Sequence, residues 1–190
     1  MVDVGCGAGI LAEPLARLGA DVLGIDASDQ NITVATRHRD LDSSAFAQLQ
    51  YRCCTSEQLV QELEGAFDVV ITSEVAEHVS DPALLIGSCV GLLRPGGTLI
   101  ISTIDRTLKS LVGGIVAAEY LLGLLEPGTH SWAKFLKPNE VEWLISRHGL
   151  SVDIISGMHY DPLRNRWNLG EHSGMNYILS ATKPNPTEQH

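Results

Sequence analysis

Glu74, Glu77 and His78 stand within Ser73-Glu-Val-Ala-Glu-His78, at spacings i, i+3 and i+4. On a helix these spacings share one face, and two carboxylates with an imidazole there can hold a hard or borderline divalent cation. Such a cation can bind both oxygens of a catechol, favour the deprotonated nucleophile and fix one oxygen for attack. A plainer reading stays open: a Glu-His pair can pack locally, and His78 alone can act as a general base. A second set of residues suits a ligand. Gly5-Cys-Gly-Ala-Gly9 places glycine at every second position, as a turn needs when its backbone angles are unusual and a ligand approaches the main chain closely. Asp26 follows about twenty residues later, where an acidic side chain can accept hydrogen bonds from two ribose hydroxyls.

These residues need a sheet to gather them. Met1 to Val4 reads as a short buried strand, Ile10 to Leu18 as a helix with apolar residues at helical spacing, and Asp21 to Ile25 as a second strand ending in Asp26. A strand, glycine turn and helix place a small molecule at the carboxyl edge of a parallel sheet. Helices are expected over Ala27 to Arg39, capped by Ser28, and from Thr55-Ser-Glu57 to about Leu63. Thr55 or Ser56 can face a bound base, although a helix cap explains them equally well. Leu49 to Cys53 and the apolar run Phe67 to Thr72 read as further strands, the latter buried on both faces. Asp81-Pro82 opens a helix to Leu93, Arg94-Pro-Gly-Gly97 is a turn, and Thr98 to Thr103 is the fifth strand. After Pro138 come a helix over Asn139 to His148, a strand over Leu150 to Gly157, a polar loop, and a last strand over Met175 to Thr182. The alternation predicts an α/β, right-handed, doubly wound sheet, with the late hairpin supplying one antiparallel edge strand.

At 190 residues and 44% hydrophobic content the chain suits one globular domain. A formal net charge of −10 argues against nucleic acid as a partner, because phosphate neutralisation needs clustered Lys and Arg. Cys6, Cys53, Cys54 and Cys89 show no metal spacing, so a reduced compartment is the simpler reading. Ile104 to Lys137 is longer than an ordinary connection. Its apolar centre, Leu111 to Leu125, is too short to span a bilayer and is flanked by Arg106, Lys109, Lys134 and Lys137. That suits a segment lying in a membrane interface, or a helical lid over the domain. His130, His159 and Tyr160 would lie near an acceptor pocket if this insert folds over the sheet edge, although a histidine satisfied by backbone partners is an equally good explanation.

The compact Gly-x-Gly-x-Gly after Val-Asp-Val resembles the first motif of class I S-adenosylmethionine (SAM) methyltransferases. A dinucleotide fingerprint needs its third glycine at Ile10 instead. Glu-Val-Ala-Glu-His-Val, Ala118-Glu-Tyr-Leu-Leu122, Pro127-Gly-Thr-His130, Lys134-Phe-Leu-Lys-Pro138, Gly157-Met-His-Tyr-Asp-Pro162 and Asn176-Tyr177 are similar to the ubiquinone-biosynthesis O-methyltransferases over nearly the whole chain. The resemblance implies a Rossmann-like sheet in the order 3-2-1-4-5-7-6 and methylation of catechol hydroxyls on polyprenylated ubiquinone precursors. SAM would be the donor and magnesium, or another divalent metal, a cofactor. It implies Gly5 and Gly7 at the cofactor, Asp26 at its ribose, Ser73 beside it, and Glu74, Glu77 and His78 as metal ligands, His78 also being the candidate catalytic base. An anionic membrane surface and other quinone-biosynthesis proteins would be partners, at the matrix side of the mitochondrial inner membrane or at a bacterial inner membrane. Helices that cover the cofactor, and an arginine that contacts it, precede the first strand in this family, so the chain is expected to be N-terminally truncated. Two rival readings are a methyltransferase for a soluble small molecule and an inactive membrane-bound scaffold of a quinone-synthesis complex.

Overall fold

A computed structural model of the chain describes residues 1–42, 46–107, 134–161, 164–171 and 175–185. Among the described residues, eight strands form one sheet: β1 (Val2–Val4), β2 (Val22–Asp26), β3 (Leu49–Cys53), β4 (Phe67–Ser73), β5 (Leu93–Ile104), β6 (Ser151–Asp161), β7 (Arg166–Gly170) and β8 (Asn176–Thr182). Their order is β3-β2-β1-β4-β5-β8-β6-β7. Strands β1 to β5 pair in parallel, whereas β8 runs antiparallel to both β5 and β6. The expected order recurs with the last strand lying between the fifth and sixth. The difference is β7, which pairs antiparallel with β6 inside the segment expected to be a polar loop. All five of its residues are exposed, so no buried face imposes a period on its sequence.

Helices α1 (Ala12–Arg17), α2 (Asp29–Leu41), α3 (Ser56–Leu63), α4 (Pro82–Leu92) and α5 (Pro138–Ser146) cross between strands. The starts of α2, α3 and α4 follow the side-chain chemistry. Ser28 Oγ accepts from the Asn31 amide, Thr55 and Gln58 form a reciprocal capping box, and Asp81 accepts from the Ala83 and Leu84 amides ahead of Pro82. Strand β5 begins earlier than expected, at Leu93. Its register jumps from Phe67–Leu93 to Val69–Thr98, so Arg94-Pro-Gly-Gly97 bulges out of the strand. The main core lies on β1, β4, β5 and β8 against α4 and α5, with Val2, Val70, Ile86, Leu99, Ile101, Val141, Ile145 and Tyr177 all buried. A smaller cluster of Ala12, Val22, Phe46 and Leu49 seals α1 against β2 and β3.

Most of the expected insert, residues 108–133, lies outside the described residues, as does His130. Among the described residues no helix is long and apolar enough to cross a membrane. All four cysteines are free thiols.

Candidate active site

The carboxyl ends of β1, β2 and β4 meet at the glycine turn. Strand β1 is buried between β2 and β4, and its chain turns sharply at Gly5, whose amide donates to Ile25 O at 2.8 Å, as does that of Cys6 at 2.9 Å. Gly5, Gly7 and Gly9 all have left-handed φ values, +76°, +54° and +87°. A Cβ on Gly5 would stand 2.4 Å from Val75 Cγ2, whereas one on Gly7 would meet nothing within 4 Å. Gly5 is therefore fixed by conformation and by a close neighbour, Gly7 by conformation alone.

Asp26 closes the turn from the end of β2. Its Oδ2 accepts from the Gly7 amide at 3.0 Å, and its Oδ1 from the Ser28 amide at 2.8 Å and Asn31 Nδ2 at 3.2 Å. The carboxylate thus joins the turn to the start of α2 while still lining a cleft of about 250 Å³. Gly5, Ile25, Ala27, Cys54, Ser56 and Val75 line the same cleft. Thr55 also borders it, but its hydroxyl is engaged in the α3 cap. Ser56 also lines the cleft, but its Oγ is sealed from solvent and has no hydrogen-bond partner among the described residues.

Sequence reading missed Asp3, which lies beneath this turn and is only 2% exposed. Its Oδ2 has no hydrogen-bond partner among the described residues. Burial, reinforced by the charge of Asp26, pushes the Asp3 carboxyl up to about 7. Burial likewise pushes the Cys6 thiol up to about 12, which leaves it protonated and unreactive at neutral pH.

The carboxylates at the end of β4 come together, though not on a helix. Glu74 takes φ +55°, and the one turn that follows is closed by the His78 amide on Val75 O at 2.9 Å. The left-handed start breaks the helical geometry from which a shared face for Glu74, Glu77 and His78 was expected. Two neighbouring residues of β5 instead hold the two carboxylates. Ser102 Oγ donates to Glu74 Oε1 at 2.9 Å and sits 2.8 Å from Ser73 Oγ, while Thr103 Oγ1 donates to Glu77 Oε2 at 2.7 Å. Asn176 Nδ2 reaches Glu74 Oε2 at 3.5 Å from β8.

Glu77 is 3% exposed and its Oε1 has no hydrogen-bond partner among the described residues. Burial first, and the Glu77 charge second, push the Glu74 carboxyl up to about 7. Two buried carboxylates side by side call for a shared proton or a cation, so the charge and donor set of this pair fit a divalent ion. His78 is exposed, and among the described residues no group of three His, Cys, Asp or Glu side chains is placed to hold a metal. The three expected ligands are therefore not assembled in this structure. Val75 follows Glu74 directly in the chain, and its side chain abuts Gly5 and lines the cleft, so the carboxylate turn and the cleft adjoin along the chain. His159 Nε2 pairs with Glu171 O at 2.9 Å and the Tyr160 hydroxyl donates to Asn165 Oδ1 at 2.7 Å, both on the β6–β7 hairpin.

The family model described as a methyltransferase domain matches residues 2–101. The mitochondrial ubiquinone biosynthesis O-methyltransferase of Rattus norvegicus is 41% identical over 188 residues, covering 99% of this chain and 54% of that protein. The ubiquinone biosynthesis O-methyltransferase of Caulobacter sp. (strain K31) is 43% identical over 183 residues, covering 96% of this chain and 71% of the relative. The chain thus spans about half the length of the mammalian relatives it matches. Among solved structures, the magnesium protoporphyrin IX methyltransferase of Synechocystis PCC 6803 with bound SAH superposes with a TM-score of 0.67 at 23% identity, covering 96% of this chain and 72% of that one.

Proposed function

The chain belongs to the ubiquinone-biosynthesis O-methyltransferase family, and from that membership we propose that its single domain transfers the methyl group of SAM to a catechol hydroxyl of a polyprenylated quinone precursor. The observation that carries this reading is the meeting of the Asp26–Gly7 cleft with the Glu74–Glu77 pair at one sheet edge, bridged by Val75.

SAM, when bound, would supply a methyl carbon to an oxygen nucleophile: the C–O bond forms as the C–S bond breaks, the sulfur leaves as the neutral thioether of S-adenosylhomocysteine, and no covalent enzyme intermediate is needed. Gly5 and Gly7 let the ligand lie against the main chain, and Asp26 offers its carboxylate edge to the ribose while keeping the turn in place. Ser73, through Ser102, connects the cofactor side to Glu74. Glu74 and Glu77 would hold magnesium, whose positive charge would lower the cost of deprotonating the catechol. His78, at the outer end of the turn, is the proton acceptor for the phenol in this reading. Alignment and exclusion of water are the protein's main contributions. We place the chain at the surface of the mitochondrial inner membrane on its matrix side, or at the bacterial equivalent, with the insert against anionic lipid and other quinone-biosynthesis proteins nearby. The name of the mitochondrial relative supports the compartment alone.

The test is methyl transfer from labelled SAM to a prenylated catechol, with and without magnesium. Glu77→Gln should lower magnesium-dependent turnover at least about a hundredfold, the scale of losing a directly bound catalytic group, and leave SAM binding within about threefold. Normal turnover of that variant in excess chelator would refute the metal assignment.

A further inference from the structure

The sheet does not end at the carboxylate pair. In antiparallel register, residues opposite one another share a face. Ile104 stands opposite Asn176, Asn176 opposite Met158, Met158 opposite Leu169, and Tyr160 opposite Trp167. Asn176 is the residue whose amide reaches Glu74. The row therefore starts at the candidate site and runs outward across β8, β6 and β7, with Leu169 two strand spacings, about 10 Å, from Asn176.

The outer part of this row is apolar and open. Trp167 is 60% exposed and Leu169 68%. The Tyr160 and Trp167 rings lie 5.3 Å apart at 45°, and the Tyr160 hydroxyl is tied to Asn165 at the hairpin turn, so the aromatic surface is held in one arrangement. A contiguous exposed apolar face on a soluble fold marks a binding surface.

We propose that Met158, Tyr160, Trp167 and Leu169 form a ledge that receives the isoprenoid tail of the acceptor. This rests on the reading of the site as a catechol methyltransferase: with the catechol oxygens at Glu74 and Glu77, a ring substituent leaves along the face that continues from Asn176. The local charge argues for a tail rather than a lipid headgroup. Asp161 and Glu171 offset Arg164 and Arg166 on the same hairpin, whereas docking of this face to anionic lipid needs a locally positive surface.

The experiment is calorimetric titration of the chain with a farnesylated catechol below its aggregation concentration, and with the same catechol bearing a methyl group in place of the tail. The parent should bind the farnesylated compound at least about thirtyfold more tightly, since several methylenes leave water. The double variant Trp167→Gln, Leu169→Gln should lose about tenfold toward the farnesylated compound and nothing toward the methyl compound, while Trp167→Phe keeps parental affinity. Parental affinity of the double variant for the farnesylated compound would overturn the ledge. So would a double variant whose only changes are lost flotation with anionic vesicles or lost self-association. Methyl transfer from SAM, followed in the same samples, separates the two proposals: ledge-dependent binding without transfer overturns the function, and transfer without ledge dependence overturns the ledge.

Discussion

Replacing Asp3 by Asn isolates one buried charge and converts it into a measurable slope. In the unfolded chain Asp3 titrates near 3.8, whereas in the folded protein its burial, with Asp26 close by, moves it to about 7. Between those values the folded state holds a proton that the unfolded state has lost, so stability falls as pH rises from about 4 to 7 and this contribution is flat outside that window. Three pKa units at about 1.36 kcal/mol each set an upper bound of about 4 kcal/mol. Asparagine has nearly the same shape and cannot ionise. Asp3→Asn should therefore match the parent within about 1 kcal/mol at pH 4 and exceed it by about 2–4 kcal/mol at pH 8. Urea unfolding followed by circular dichroism across pH 4 to 8 gives both curves. Glu74, also raised to about 7, leaves a slope of the same sign in both proteins, so the difference between the curves is the quantity that counts. Parallel curves throughout this range would show that Asp3 is not desolvated and that the turn above it is packed differently.

Two further substitutions probe the scaffold. Gly7→Ala should cost about 1–2 kcal/mol for its left-handed backbone alone, and Gly5→Ala about 2–4 kcal/mol because Val75 must also move. Equal losses in thermal unfolding would contradict the close approach at Gly5. Lys183 Nζ donates to Val90 O at 2.9 Å and Leu93 O at 2.7 Å at the end of α4, so Lys183→Met should destabilise by about 1–2 kcal/mol. An unchanged denaturation midpoint would remove that cap from the account.

The parallel half of the sheet was legible because β1 and the centre of β4 are buried and because α2, α3 and α4 announce their starts through Ser28, Thr55 and Asp81-Pro82. The glycine turn was legible because three alternating glycines admit few conformations. What escaped depends on contacts distant in sequence. Ser102 and Thr103 read as the polar end of a buried strand, yet they grip Glu74 and Glu77, 28 and 26 residues away. Asp3 read as part of a strand, with no local sign that its carboxyl would be stranded beside Asp26. The helical reading of Glu74 to His78 failed at a single residue, since nothing in Ser-Glu-Val marks Glu74 for φ +55°. Strand β7 escaped because an exposed edge strand needs no alternation, and the same exposure is what makes Trp167 and Leu169 informative.

Calorimetric titration of SAM into the chain, with magnesium present and NAD as the comparison ligand, tests the central claim that the Gly5–Asp26 cleft is a SAM site. Saturable binding of SAM, no binding of NAD, and a loss of about tenfold or more in a folded Asp26→Asn variant are the predicted results. A folded parent that gives no saturable heat with SAM, or an Asp26→Asn variant that binds as the parent does, would contradict it.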